Sequence, residues 1–222
     1  MDEPAGSPTD LNVATCRRAL EYTPDVRVPY ITAYDEEFAE RPFTLIPDAC
    51  ATDGWRLGFV GAARQDWLFG VLWHRPGLHR GGRPEWKMVN TLRQRRCMLR
   101  LLCQVCGGPA RDAPTGRVSW LLADSSVTGS AGKPFTNAPP TCRACIPGAL
   151  ATCPRLRRAA RVYTVRAAEP YGVVGDAVRP SPRGLMKVEW DLHVPLDAFH
   201  RLEYTFAKQL LVTLEDLQPS TV

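Results

Sequence analysis

Two short motifs, Cys103-Gln-Val-Cys106 and Cys142-Arg-Ala-Cys145, have a spacing that chemistry demands. A C-x-x-C turn sets two thiolates on one side of a tight bend, and two such turns supply the four soft ligands of a tetrahedral zinc ion. Gly107 and Gly108 follow the first pair, where the chain must leave the turn in a conformation that a Cβ disfavours. Four thiolates leave no open position for water or substrate, so Cys103, Cys106, Cys142 and Cys145 predict a structural Zn2+, not a catalytic one. Redox thiols or a disulfide are the competing readings of the same residues. The remaining cysteines, Cys16, Cys50, Cys97 and Cys153, have no mutual spacing that forces a role, and buried thiols are expected.

A second group with chemical potential is Glu189, Asp191 and His193, alternating along residues 185–194 with Lys187 beside them. Carboxylates at i and i+2 can share a divalent metal in a nuclease-like centre, and the plain alternative is the wet face of an amphipathic strand. Other enzyme classes lack their residues. No histidine lies between His79 and His193, so a finger nuclease of the HNH type has no catalytic imidazole on its hairpin. His74 is followed by Arg-Pro and His79 by Arg-Gly, so the H-x-E of a zinc deaminase is missing. A thioredoxin-like dithiol would need one pair after a strand in a βαβ context, which the pattern does not offer.

Charge placement is more telling than the total of +5. Residues 1–55 hold 4 basic and 11 acidic side chains, residues 56–166 hold 19 and 4, and residues 167–222 hold 5 and 8. A basic stretch centred on the cysteine pairs has the electrostatic footprint of a phosphate-rich partner. Acidic flanks folding back to neutralise it internally are the alternative. Arg80 and Arg83 in a Gly/Pro-rich loop, Arg93, Arg96 and Arg100 at helical spacing, and Arg155, Arg157 and Arg158 after the second pair are the candidate nucleic-acid contacts.

These residues need elements to hold them. Residues 1–10 read as a disordered leader, and Thr9 or Asp10 caps a short helix through Leu11, Ala14, Cys16 and Leu20. Residues 26–33 lean to strand. Residues 55–60 and 67–74 read as one hairpin, with Trp67, Phe69, Val71 and Trp73 on a core-facing side. Residues 85–102, free of Gly and Pro, predict a helix that runs into the first cysteine pair and carries the arginine stripe. Residues 117–123 and 134–137 read as a strand and its return, and Thr141 as the N-cap of a helix holding Cys142 and Cys145 in its first turn. Met186, Val188, Trp190, Leu192 and Val194 alternate as the core side of a strand. Residues 196–217 predict an amphipathic helix with Phe199, Phe206, Leu210, Leu214 and Leu217 on one side.

Knuckle, hairpin, then a helix bearing the last two ligands resembles a treble-clef zinc finger over residues 101–158. The wording LCQVCGGP and TCRACIPGALATCPRLRR also resembles an uncharacterised family of small zinc-finger-like proteins from GC-rich bacteria, which implies no activity. The expected fold is α+β, a mixed or antiparallel sheet with packed helices and an embedded zinc module. Its parts are residues 1–10 as leader, 11–100 as an N-terminal α+β part, 101–158 as the zinc module, and 159–222 as C-terminal strands and helix completing one domain. No basic n-region with an apolar run opens the chain, and no window approaches the ~20 residues of a membrane helix. The expectation is a cytoplasmic, nucleic-acid-binding regulatory or accessory protein without catalysis of its own, away from membranes. A protein-interaction adaptor and an enzyme using Glu189, Asp191 and His193 are the alternatives.

Overall fold

The computed structural model describes residues 27–123, 128–130 and 133–221. The expected leader and the helix at residues 11–20 lie outside them. Short strands come first: β1 (Thr32–Tyr34), β2 (Phe43–Pro47), β3 (Trp55–Phe59), β4 (Trp67–Leu68), β5 (Val71–Trp73) and β6 (Pro84–Val89). Helix α1 (Thr91–Arg100), β7 (Val118–Ala123), β8 (Thr128–Ser130), β9 (Lys133–Thr136), α2 (Ile146–Thr152) and α3 (Pro154–Ala159) follow. The chain then runs through β10 (Ala160–Val165), β11 (Ala167–Ser181), β12 (Gly184–Pro195), α4 (Phe199–Glu203), β13 (Thr205–Glu215) and β14 (Gln218–Pro219). The class is α+β and mostly sheet, and among the described residues the pairing is antiparallel except for the parallel contact of β5 with β13.

The long strands β12, β11 and β13 form an antiparallel run at the centre. The far edge of β13 takes β5 at Phe206 and Ala207 and β9 at Val212 and Thr213, which leaves a gap between them. Gln94 of α1 fills that gap. Its Nε2 donates to the Leu210 carbonyl and its Oε1 accepts the Leu210 N–H, both at 3.0 Å, so a buried side-chain amide does what a neighbouring strand would do.

Both faces of this sheet are covered, so β11 is buried without a break from Gly172 to Val178 and β13 is buried on either side of Lys208 and Gln209. On one face Val71, Trp73, Val173, Val194, Leu210 and Leu214 pack with Val118, Trp120 and Leu122 of β7 and with Met98 of α1. On the other, Leu72, Val178 and Phe206 pack with Leu57 and Phe59 of the β2–β3 hairpin. Strands must approach closely where their register slips. A Cβ on Gly175 would lie 2.7 Å from the Phe206 carbonyl oxygen, beside irregularities in its pairing with both neighbours. Gly175→Ala is expected to cost about 1–3 kcal/mol of unfolding free energy, read from the denaturant midpoint; an unchanged midpoint would mean the strands separate there without strain.

Several expected elements are corrected. The single helix over residues 85–102 is a strand and a helix: β6 pairs with β1, and Asn90 ends the strand while its Oδ1 caps α1 by accepting the N–H groups of Leu92 and Arg93. The C-terminal helix over residues 196–217 is mostly β13, with only α4 helical. Leu210 and Leu214 are four residues apart, a spacing that serves a strand face as well as a helix face, and the buried Val212 between them decides for the strand. The hairpin expected from residues 55–60 and 67–74 is divided: β3 pairs with β2, and β4 pairs with β5 around Phe69 and Gly70, both at positive φ. Phe69 therefore leaves the core face on which Val71 and Trp73 remain.

In β12 the expected core side is exposed, with Met186 at 46%, Val188 at 44% and Trp190 at 63%. Bulging accounts for Val188 and Trp190. From Gly175 to Ala177 two steps of β11 face three of β12, and one step more faces two, while Asp191 takes a φ of 54°. The two shifts cancel beyond the bulges. Val188 and Trp190 fall among the extra residues without a partner on β11. Met186 keeps the side of Val194 but pairs with exposed Arg179, and Lys187 lies on the other side over the Phe206 ring.

Candidate metal centre and its surroundings

The first cysteine pair is built by the end of α1. Leu101 adopts a left-handed conformation and its N–H returns to the Cys97 carbonyl, turning the chain into the knuckle. There the Cys103 N–H donates to the Gly108 carbonyl at 2.7 Å and the Gly107 N–H to the Cys103 carbonyl at 2.8 Å. Gly107 has a φ of 74° and its α-carbon faces the Tyr30 ring, so both the turn and the close approach require glycine. The Val105 N–H points at Cys103 Sγ from 3.4 Å, as backbone donors do around a metal thiolate.

The second pair is brought alongside by β7 and by direct backbone contact. The Gln104 N–H donates to the Pro140 carbonyl at 2.8 Å and the Thr141 N–H to the Ser119 carbonyl at 3.0 Å. Thr141 is not the N-cap expected of it. Its buried hydroxyl accepts the Gln104 amide at 2.8 Å, and Cys142 opens a 3-10 turn at Arg143–Cys145 that leads into α2. Nor does the expected return strand come back to β7. Strand β7 pairs with β10, and β9 with β8 and β13.

The four Sγ atoms of Cys103, Cys106, Cys142 and Cys145 lie within 4.8 Å of one another, close enough to bind one metal ion. Cys106 and Cys142 Sγ are 3.8 Å apart and all four thiols are free. With a metal–sulfur bond of about 2.3 Å, a tetrahedral site has sulfur–sulfur edges of about 3.8 Å. Burial pushes the Cys142 and Cys145 thiols up. Burial acts the same way on Cys106, but the Gly108 N–H and the neighbouring thiols outweigh it and hold Cys106 below the ordinary thiol value. Among the described residues this is the one group of three or more His, Cys, Asp or Glu ligands that comes together.

The arginine stripe on α1 is interrupted. Arg93 is buried, and its guanidinium makes a two-pronged pair with Glu37 through contacts of 2.6 Å each, with a third bond to the Thr32 carbonyl at 2.7 Å. The turn at Asp35–Glu37 covers the first turn of α1 and leaves the last one open, so Arg96 and Arg100 are exposed while Arg93 is withdrawn from any partner. The loop bearing Arg80 and Arg83 docks on the same acidic turn. The Arg80 N–H donates to Glu37 and the Arg83 N–H to Asp35, with both side chains exposed. Arg155, Arg157 and Arg158 lie exposed on α3, after α2, the helix that Cys145 leads into. Internal neutralisation of the basic segment is therefore partial.

Glu189, Asp191 and His193 are not gathered. Asp191 Oδ1 takes the Lys208 ammonium at 2.6 Å, the His193 ring packs edge-on to Phe135, and Glu189 is exposed. What sequence spacing missed is a different constellation on the sheet face opposite the cysteine centre, where Arg41, Asp66, His74, Arg75 and Lys187 meet from separate segments. The only linear trace of it is the habit of these cations to sit beside aromatic residues, in Arg41-Pro-Phe43 and Trp73-His-Arg75. Comparison of this chain with models of protein families, with curated proteins and with solved structures found no match.

Proposed function

We propose that this protein is a zinc-organised nucleic-acid-binding factor without catalysis of its own, acting in a reducing cytoplasm where thiols stay available to metal. Its four cysteines would hold Zn2+ as a structural clasp with the element order of a treble clef, knuckle, strand and helix, its strands shared out to neighbouring sheets. The resemblance to small zinc-finger-like proteins of GC-rich bacteria accords with this reading. One observation carries it. Residues 125–168 contain seven Lys or Arg and no Asp or Glu, and in that stretch Arg143 is exposed between the second pair of cysteines and Arg157 and Arg158 are exposed on α3, one helix further on. Exposed Arg96 and Arg100 add to this charge on the helix entering the first pair.

Such a surface binds by releasing condensed counterions, so affinity falls linearly in a log–log plot against salt. Fluorescence anisotropy with labelled duplex and single strands is expected to show binding at ~50 mM salt that weakens by at least about tenfold at ~200 mM. Each phosphate-contacting arginine removed should lower the slope by ~1, so Arg143→Glu with Arg158→Glu flattens it by about 2. Absence of binding to either strand form at low salt overturns the reading.

A further inference from the structure

A cleft of about 690 Å³ opens between the β2–β3 hairpin and the central sheet, on the face opposite the cysteine centre. Its apolar walls are Phe38, Phe43, Phe59 and Phe206, and its cations are Arg41, Arg75 and Lys187. The cations are held in place from behind. Asp66 is fully buried, fixed by the Ala63 N–H at 2.8 Å, and its Oδ1 binds Nη1 of Arg75 at 2.7 Å and Nη1 of Arg41 at 3.4 Å. One carboxylate thus orients two guanidinium groups and offsets only one of their charges. Each guanidinium commits one nitrogen to Asp66 and keeps the rest of its fork for another acceptor. The Arg41 guanidinium lies 4.1 Å over the Phe59 ring, and the Lys187 ammonium 4.8 Å over that of Phe206. Lys187 is balanced separately by buried Asp176, which also binds Lys208. Among the described residues that line the cleft, the one acid is exposed Glu40.

His74 forms part of the floor, stacked beside Phe38 and edge-on to Phe206. Burial, with Lys187 and Lys208 nearby and opposed only by Asp176, pushes its imidazole down to about 4, so at neutral pH it offers a hydrogen-bonding ring without charge. The volume is that of a small-molecule pocket. From the paired guanidinium groups beside an aromatic cleft, we infer that this chain binds a small planar aromatic ligand bearing a phosphate or carboxylate, of mononucleotide size. Its anion is taken by Arg41 and Arg75 and its ring by Phe38, Phe43 and Phe206. The site lies apart from the exposed arginines of α3 and does not depend on polymeric nucleic acid.

Calorimetric titration of the full chain with adenosine 5′-monophosphate, phenyl phosphate, benzoate, adenosine and inorganic phosphate tests this, the paired phosphate and carboxylate probes deciding between the two anions. Adenosine 5′-monophosphate, or one of the two aryl anions, is expected to bind at least about tenfold more tightly than adenosine or inorganic phosphate alone. Arg75→Gln should weaken it by at least about tenfold. Because that change also disturbs Asp66, Phe38→Ala on the exposed rim is the second variant, expected to lower affinity several-fold with an unchanged melting temperature. Arg143→Glu with Arg158→Glu should leave this binding intact. No heat of binding from any aromatic anion at ~1 mM, or an affinity that neither Arg75→Gln nor Phe38→Ala changes, overturns the proposal.

Discussion

Replacing Glu37 with alanine is expected to lower the unfolding free energy by about 3–5 kcal/mol, the cost of stripping a buried ion of its partner. The carboxylate is the hub of the N-terminal part. It takes both prongs of Arg93, the Asn90 amide at 2.9 Å, and the backbone N–H groups of Tyr34 and Arg80 at 3.0 and 3.1 Å. Removing it frees the loop carrying Arg80, loosens the residue that caps α1, and leaves the Arg93 charge without a counter-ion in a site where both side chains are at most 3% exposed. Glu37→Gln keeps the shape and loses the charge, so it should cost nearly as much. Arg93→Met in the Glu37→Ala background should recover part of the loss, because an empty pair is easier to bury than half of one. Burial works to raise the Glu37 carboxyl, but the bonds from Arg93, Asn90, Tyr34 and Arg80 prevail and hold it below the ordinary 4.5. A carboxylate with a depressed folded value binds its proton later than the unfolded chain does. Its contribution is therefore complete above pH ~4.5 and declines as pH falls through the lowered value. Urea titrations across pH 3–7 should show that acid loss in the parent and less of it in Glu37→Gln; parallel profiles would show that the pair does not couple to folding.

How much of this was legible in the residues differs from element to element. The cysteine pairs were legible because metal geometry constrains spacing locally, and the folded chain brings the four thiols together. The class, α+β with much sheet, was legible from strand patterns before, between and after the pairs, Val118–Ala123 among them. Failures came wherever a tertiary partner decided the outcome. Leu210 and Leu214 fit helix and strand alike, and only the open edge of β11 made β13 a strand. Met186, Val188 and Trp190 alternate as a core face should, but Val188 and Trp190 fall in two bulges of β12 and Met186 lies opposite exposed Arg179, and bulges leave no periodic mark. Arg93, Arg96 and Arg100 form a stripe in any helical projection. That Arg93 is withdrawn depends on Glu37, fifty-six residues earlier, folding over one end of α1. The cleft around Asp66 was invisible for the same reason: its residues share a place and no spacing.

The second large effect lies in the cysteine centre itself. Purified protein is expected to carry about one zinc per chain, and Cys103→Ser or Cys142→Ser should abolish metal retention. Structural zinc sites contribute on the order of 10 kcal/mol of apparent binding free energy at neutral pH, more than a domain's typical net stability. The loss should not stay local. Cys103 is fully buried in the main core cluster together with Met98, Val118 and Trp120, so loosening the knuckle opens the seam between α1, β7 and the central sheet. Cys50, exposed and outside the cluster, serves as the matched control, and Cys50→Ser should leave both metal content and melting temperature unchanged. Acid should act as a chelator does, because thiolates must take up protons to let the metal go, and release on lowering pH should coincide with loss of tertiary signal from buried Trp120. The Asp66 cleft on the opposite face packs through the separate Leu57, Phe59, Leu72 and Phe206 cluster, so a metal-stripped chain that keeps its α4 and β13 register should lose nucleic-acid binding before it loses aromatic-anion binding. Elemental analysis giving far less than one zinc per chain, with unchanged melting after chelation, would instead make the four thiols a redox group and remove the clasp from the functional reading.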